Sequence, residues 1–137
     1  MSIKEMVLEK AKNAKQASRI LAKTSTSAKN NALDAMADGL LSAKDELKRE
    51  NEKDIAYAKE KGLSSALIDR LTLNDKRIEA MANGIKEIVA LPDPVVEVTR
   101  MWQRPNGLRI GKIRVPLGVI GIIYESRPNV TADAVGL

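Results

Sequence analysis

The groups best able to do chemistry lie together at Glu125-Ser126-Arg127-Pro128-Asn129, a carboxylate, a hydroxyl, a guanidinium and a carboxamide in five residues. An apolar run at 119–124 precedes them, and 130–137 reads as the opening of a helix. Open α/β sheets place ligands at such strand-to-helix turns. The amides of an opening helix suit phosphate or carboxylate, and Arg127 adds a bidentate fork for the same groups. A plainer reading stands beside this one: Glu125 and Arg127 solvated, Pro128 starting the helix, and Asn129 or Thr131 capping it.

What the remaining residues lack narrows the chemistry further. The 137-residue chain has no cysteine and no histidine. Within it there is no thiol nucleophile, disulfide framework, Ser-His-Asp relay or Cys/His metal site, and no metal is expected. Gly107-x-x-x-Gly111-Lys112 is one residue short of a phosphate-binding loop and places Ile113 where a magnesium-binding hydroxyl belongs. Gly118-x-x-Gly121 lies inside the apolar run, where small residues permit close packing. No carboxylate pair has a spacing that singles it out.

The net charge of +5 is uneven. Residues 1–23 hold six basic and two acidic side chains, and residues 101–137 hold five basic and two acidic. A basic first helix can approach phosphates, but it lacks the interleaved aromatics and motifs of a nucleic-acid module, so a solvated face is expected and nucleic acid is not. No apolar run approaches the ~20 residues of a membrane span, no targeting segment is visible, and a cytoplasmic protein without membrane attachment is expected.

The elements that must position the turn are legible from periodicity. Phe is absent, and Tyr57, Trp102 and Tyr124 are the only aromatics, so the core must be aliphatic. Ser2-Ile3-Lys4-Glu5 reads as a capping box, opening a helix with Ile3, Met6, Val7, Ala11, Ala14, Ser18 and Leu21 on one side. After Thr24-Ser25-Thr26-Ser27 a second helix carries Leu33, Met36, Ala37, Leu40 and Leu41, and is expected to run on to Lys61 before Gly62 closes it. A short helical turn is expected over 65–70. Asn74 caps a third long helix, striped by Ile78, Met81, Ala82, Ile85, Ile88 and Val89 and ended by Pro92-Asp93-Pro94.

Beyond Pro94 the period changes from 3.6 to 2. Asn106-Gly107 signals a hairpin with both turn residues at positive φ, its arms over 101–104 and 108–115, and Gly111 is the expected bulge. Residues 119–124, apolar without alternation, read as a strand buried on both faces of a parallel sheet. Such a strand needs a neighbour, so the chain reads as an incomplete α/β unit, the N-terminal part of a longer protein.

The run Val115-Pro116-Leu117-Gly118-Val119-Ile120-Gly121-Ile122-Ile123-Tyr124-Glu125-Ser126-Arg127-Pro128-Asn129-Val130-Thr131 resembles the γ-glutamyl phosphate reductase family (the glutamate-5-semialdehyde dehydrogenases), a branch of the aldehyde dehydrogenase superfamily. Asn51-Glu52-Lys53-Asp54, Asp69-Arg70-Leu71 and Arg109-Ile110 are similar to that family as well. The resemblance implies an α/β fold. Residues 1–94 would be N-terminal helices, 98–115 an oligomerisation ribbon, and 117–137 the first strand and helix start of a Rossmann-like nucleotide-binding domain. It implies NADPH-dependent reduction of L-glutamyl 5-phosphate to L-glutamate 5-semialdehyde and phosphate, in proline biosynthesis. A Cys thiolate beyond these residues would form a thioacyl enzyme, and the family would assemble as a homo-oligomer. Ile123, Tyr124, Glu125 and Ser126 then match the strand end beside the cofactor. Arg127 stands where ordinary aldehyde dehydrogenases hold an oxyanion-stabilising Asn. Either Asn129 takes that role, or Arg127 holds the substrate's phosphate or carboxylate. The chain alone is expected to be inactive. The alternative from the residues is a helical oligomerisation or nucleic-acid-binding module with a basic first helix.

Overall fold

The structure, a computed structural model, describes residues 2–125 and 127–137. The described elements are α1 (Ile3–Leu21), α2 (Thr26–Ser42), α3 (Lys44–Glu60), α4 (Ser65–Leu71), α5 (Asp75–Val89), β1 (Val98–Gln103), β2 (Arg109–Ile113) and α6 (Pro128–Gly136). They fall into two compact units, one comprising the chain up to Thr26 with Pro92–Gly121, the other Ser27–Leu91 with Ile122–Leu137.

In the first unit, α1 opens with the expected capping box: Glu5 N–H donates to Ser2 Oγ at 3.2 Å and Ser2 N–H to Glu5 Oε2 at 2.7 Å. The backbone bond from Ser2 is the larger cause holding the Glu5 carboxyl below its ordinary range. No described α1 residue is buried, and Ile3, Val7 and Leu21 are exposed. The ribbon pairs β1 with β2 antiparallel, but two details differ from the sequence expectation. Only Gly107 of the turn has positive φ, and Arg104 N–H donates to Leu108 O at 2.8 Å, so the loop is Pro105-Asn106-Gly107. Pro105 fixes φ near −65° and favours a three-residue loop with glycine last over a two-residue one. The bulge sits at Thr99, between Val98↔Ile113 and Arg100↔Lys112, and not at Gly111, which pairs with Met101. Thr99 Oγ1 donates to Lys112 O at 3.2 Å and supports the irregularity.

In the second unit, the core is small and aliphatic. Ala37 of α2, Met81, Ala82 and Ile85 of α5, and Ala132 of α6 are buried, with Leu33, Met36, Leu40, Leu41 and Leu73 packed around them. Alanines at the contacts let the helices approach closely. The α5 stripe falls as periodicity placed it, and Asn74 Oδ1 caps α5 by accepting from Arg77 N–H at 2.9 Å. The single helix expected from the second stripe is divided at Ala43, where φ/ψ is −92°/11°. Ser42 Oγ donates back to Asp38 O at 2.8 Å, a bond that competes with the helical ladder and bends helices.

Ion pairs tie α3 to α5: Lys44 to Glu79, and Lys48 Nζ to Asp75 Oδ1 at 2.7 Å. The hydrogen bond from Lys48 is the main cause holding the Asp75 carboxyl below its ordinary range, and the same bond raises Lys48. A depressed carboxylate stabilises the fold above its unfolded pKa and loses that contribution as pH falls through its folded one. The urea midpoint should therefore drop on acidification from about pH 5 to pH 2, and Asp75→Asn should flatten part of that drop. An unchanged acid profile in the variant would show the pair to be inert.

The parallel strand expected over 119–124 does not form. Residues 114–125 carry no regular structure, and Val119, Ile120, Ile122, Ile123 and Tyr124 are exposed instead of buried on two faces. A parallel strand exists only against a neighbour, and among the described residues none lies beside this segment. The segment is also divided between the two units, after Gly121.

Candidate functional site

The turn before α6 is positioned from the helical unit. Pro128 occupies the first helical turn, as expected, its fixed φ suiting that position and its missing N–H costing nothing there. The helix has Arg127 as its N-cap residue, at φ/ψ −139°/84°, with no side-chain cap. Neither Asn129 nor Thr131 caps. Thr131 Oγ1 hydrogen-bonds the Tyr124 hydroxyl at 2.6 Å, and Asn129 Nδ2 donates to Asp133 Oδ2 at 3.1 Å. The Tyr124–Thr131 bond links the segment before the turn to the helix after it.

Two clefts open on either side of Pro128. One, about 300 Å³, has Arg127, Tyr124 and Glu125 on one wall and Glu50, Asn51 and Asp54 on the other. The other, about 360 Å³, lies between Asn129 and Asp133 of α6, the end of α4 and the outer side of α5. The candidates Arg127 and Asn129 therefore face different clefts and are not brought together. Of the cofactor-side candidates, Tyr124 and Glu125 line the first cleft, Ile123 is fully exposed, and Ser126 lies outside the described residues.

Both clefts share Leu73, in the connector between α4 and α5, and that connector is held by two side chains. Asn51, only 4% exposed, donates from Nδ2 to Leu71 O at 2.9 Å and accepts Leu73 N–H on Oδ1 at 2.7 Å. Its carboxamide thus bridges both sides of Thr72. Arg77 closes the same connector from the other side: its guanidinium donates to Asp69 O, to Thr72 O at 2.7 Å and to both Asp69 carboxylate oxygens at 3.0 Å. Among the described residues, Arg70, next to Asp69, has no such partner.

Neither Asn51 nor Arg77 was singled out as a site residue by residue type. The available signal for Asn51 was its register: it lies on the apolar face with Leu47, Ile55 and Ala58, where an amide must find partners. Among the described residues no group of three acidic side chains could hold a metal ion, and no helix is long and apolar enough to cross a membrane.

No family model matches the chain. Curated relatives match it throughout. It is 59% identical over all 137 residues to a γ-glutamyl phosphate reductase of Thermodesulfovibrio yellowstonii and 61% to one of Halothermothrix orenii. In both cases it spans about 33% of the relative's length. Among solved structures, γ-glutamyl phosphate reductase of Thermotoga maritima superposes with a TM-score of 0.90 at 45% identity, over 95% of this chain and 31% of that one. The Saccharomyces cerevisiae enzyme gives 0.88 at 34% identity, over 99% of this chain and 34% of that one. The helices and two-stranded ribbon correspond to the N-terminal region of those structures, and the chain is similar along its whole length to γ-glutamyl phosphate reductases, of whose own length it spans about a third.

Proposed function

We propose that this chain supplies the N-terminal part of an enzyme that reduces L-glutamyl 5-phosphate to L-glutamate 5-semialdehyde and phosphate with NADPH, in proline biosynthesis. The observation that carries the reading is similarity along the whole of this chain: 59% identity over its 137 residues, about 33% of the relative's length, together with a matching fold. The sequence contains no cysteine, so a thiol that attacks the acyl phosphate lies outside these residues.

NADPH would supply the hydride. The residues present fit one wall of its site and no more. Ile123 and Tyr124 are exposed apolar side chains on an unladdered backbone, and the Tyr124–Thr131 bond fixes that backbone against α6. Arg127 brings a cation to the same cleft, whose other wall carries Glu50 and Asp54. A one-walled site of this kind holds a dinucleotide weakly or not at all. The exposed ribbon, with Met101, Trp102 and Ile113 on its surface, is proposed as the oligomer contact, and the cytoplasm as the compartment.

The test joins this chain to the remaining two thirds of the Thermodesulfovibrio yellowstonii relative. The chimera should reduce NADP when given glutamate 5-semialdehyde and phosphate, and the isolated 137-residue chain should give no turnover. A folded chimera without activity would overturn the proposed reaction; turnover by the isolated chain would overturn its dependence on residues outside it.

A further inference from the structure

The 360 Å³ cleft beside Asn129 is at the small end of the range for small-molecule sites, about 300–1,000 Å³. Its floor is aliphatic, from Leu73, Ala80 and Met81. Its rim carries two guanidinium and two carboxylate side chains, Arg70, Arg77, Asp69 and Asp133. These four are not equivalent. Arg77 and Asp69 are consumed by each other and by the connector. Among the described residues, Arg70 makes no hydrogen bond or ion pair, and Asp133 accepts a single bond from the Asn129 side chain.

One uncommitted cation and one largely uncommitted anion therefore face a cleft with an apolar floor. A simple anion would meet Asp133 and Asp69, and a simple cation would meet Arg70. A zwitterion with a short aliphatic chain satisfies both ends: carboxylate on the Arg70 fork, ammonium on Asp133, methylenes over Leu73, Ala80 and Met81. We propose that this cleft holds the amino-acid end of the substrate, with Arg70 taking its α-carboxylate, Asp133 its α-ammonium group, and Asn129 facing the rest of the chain. This assignment rests on the reaction proposed above. Arg70 and Asp133 thereby set specificity for an amino-acid substrate over a plain acyl or aldehyde compound.

Two measurements test it. In the active chimera, Arg70→Gln should raise KM for glutamate 5-semialdehyde about 10–100-fold, the loss expected for a charge-assisted hydrogen bond, with kcat nearly unchanged. Arg70→Lys should recover part of that loss. Asp133→Asn should erase the preference for glutamate 5-semialdehyde over 5-oxopentanoate, which lacks the amino group, and Arg70→Gln should leave turnover of butanal, which has no carboxylate, unaltered. A merely structural role would impair all three aldehydes together. Separately, titrating L-glutamate into the 137-residue chain should shift the NMR signals of Arg70, Asn129 and Asp133 saturably, and glutarate and butylamine should not. Unchanged KM and preference in an active chimera would overturn the assignment, as would the absence of saturable L-glutamate shifts. If L-glutamate binds but the chimera turns nothing over, the amino-acid cleft stands and the proposed reaction fails.

Discussion

Asn51→Leu should destabilise the helical unit by about 2–5 kcal/mol, since each buried backbone group left unpaired costs roughly 1–3 kcal/mol. The substitution keeps the approximate volume on α3 and removes both hydrogen-bonding atoms at once. Leu71 O loses its donor at 2.9 Å and Leu73 N–H its acceptor at 2.7 Å, and an isobutyl group offers neither a replacement. Asn51→Asp is the sharper companion. It keeps an acceptor for Leu73 N–H but turns a carboxylate oxygen toward Leu71 O, so it should also destabilise. The exposed Asn83→Leu on α5 should stay within about 0.5 kcal/mol of the parent. Urea unfolding followed by circular dichroism measures all three. Equal midpoints for Asn51→Leu and Asn83→Leu would show that the Asn51 bridge contributes nothing.

The case of Asn51 also marks how far the sequence could be read. Features written in local sequence were legible: the Ser2–Glu5 capping box and the Asn74 cap depend on neighbours three residues away, and the α5 stripe shows in helical periodicity. Division of the second helical stretch at Ala43 was not visible, because alanine is a strong helix former and carries no mark of a break. The hairpin was legible as a hairpin. Its loop length was set by Pro105, and its bulge by Thr99, a residue that carries no glycine-like mark. The apolar run at 119–124 has the composition of a buried strand, but composition does not provide a ladder partner. For the site, a helix was legible after the polar residues, but it opens at Pro128, two residues earlier than the expected 130, so Asn129 lies inside α6. That Arg127 and Asn129 open onto different clefts follows only from tertiary packing, since Leu73 of the connector separates them. Arg70 illustrates the same limit: its type was evident and its lack of a partner among the described residues was not, because Arg77, a few residues on, takes Asp69.

That separation gives opposite expectations for the two candidate substrate residues. In the active chimera, Asn129→Ala should lower kcat about 10²–10³-fold, the usual loss when one preplaced oxyanion donor is removed. The proposed donor would be preplaced, because Asn129 Nδ2 is held by Asp133 Oδ2 at 3.1 Å, one helical turn along α6, which leaves the second N–H of the amide available. An amide fixed in this way costs no reorganisation when charge develops on the substrate oxygen. Asn129→Asp should be as damaging as Asn129→Ala, since it replaces the donor by a second carboxylate beside Asp133. Arg127 faces the cleft that carries Tyr124 and Glu125, so Arg127→Ala should act mainly on KM for NADP and leave kcat within about tenfold. Steady-state kinetics with each reactant varied in turn separates these outcomes. If Arg127→Ala lowers kcat as far as Asn129→Ala does, the two clefts serve one reacting centre and the division of roles is wrong. If Asn129→Ala changes only KM for the aldehyde, the amide binds the substrate without stabilising the charge that develops on it.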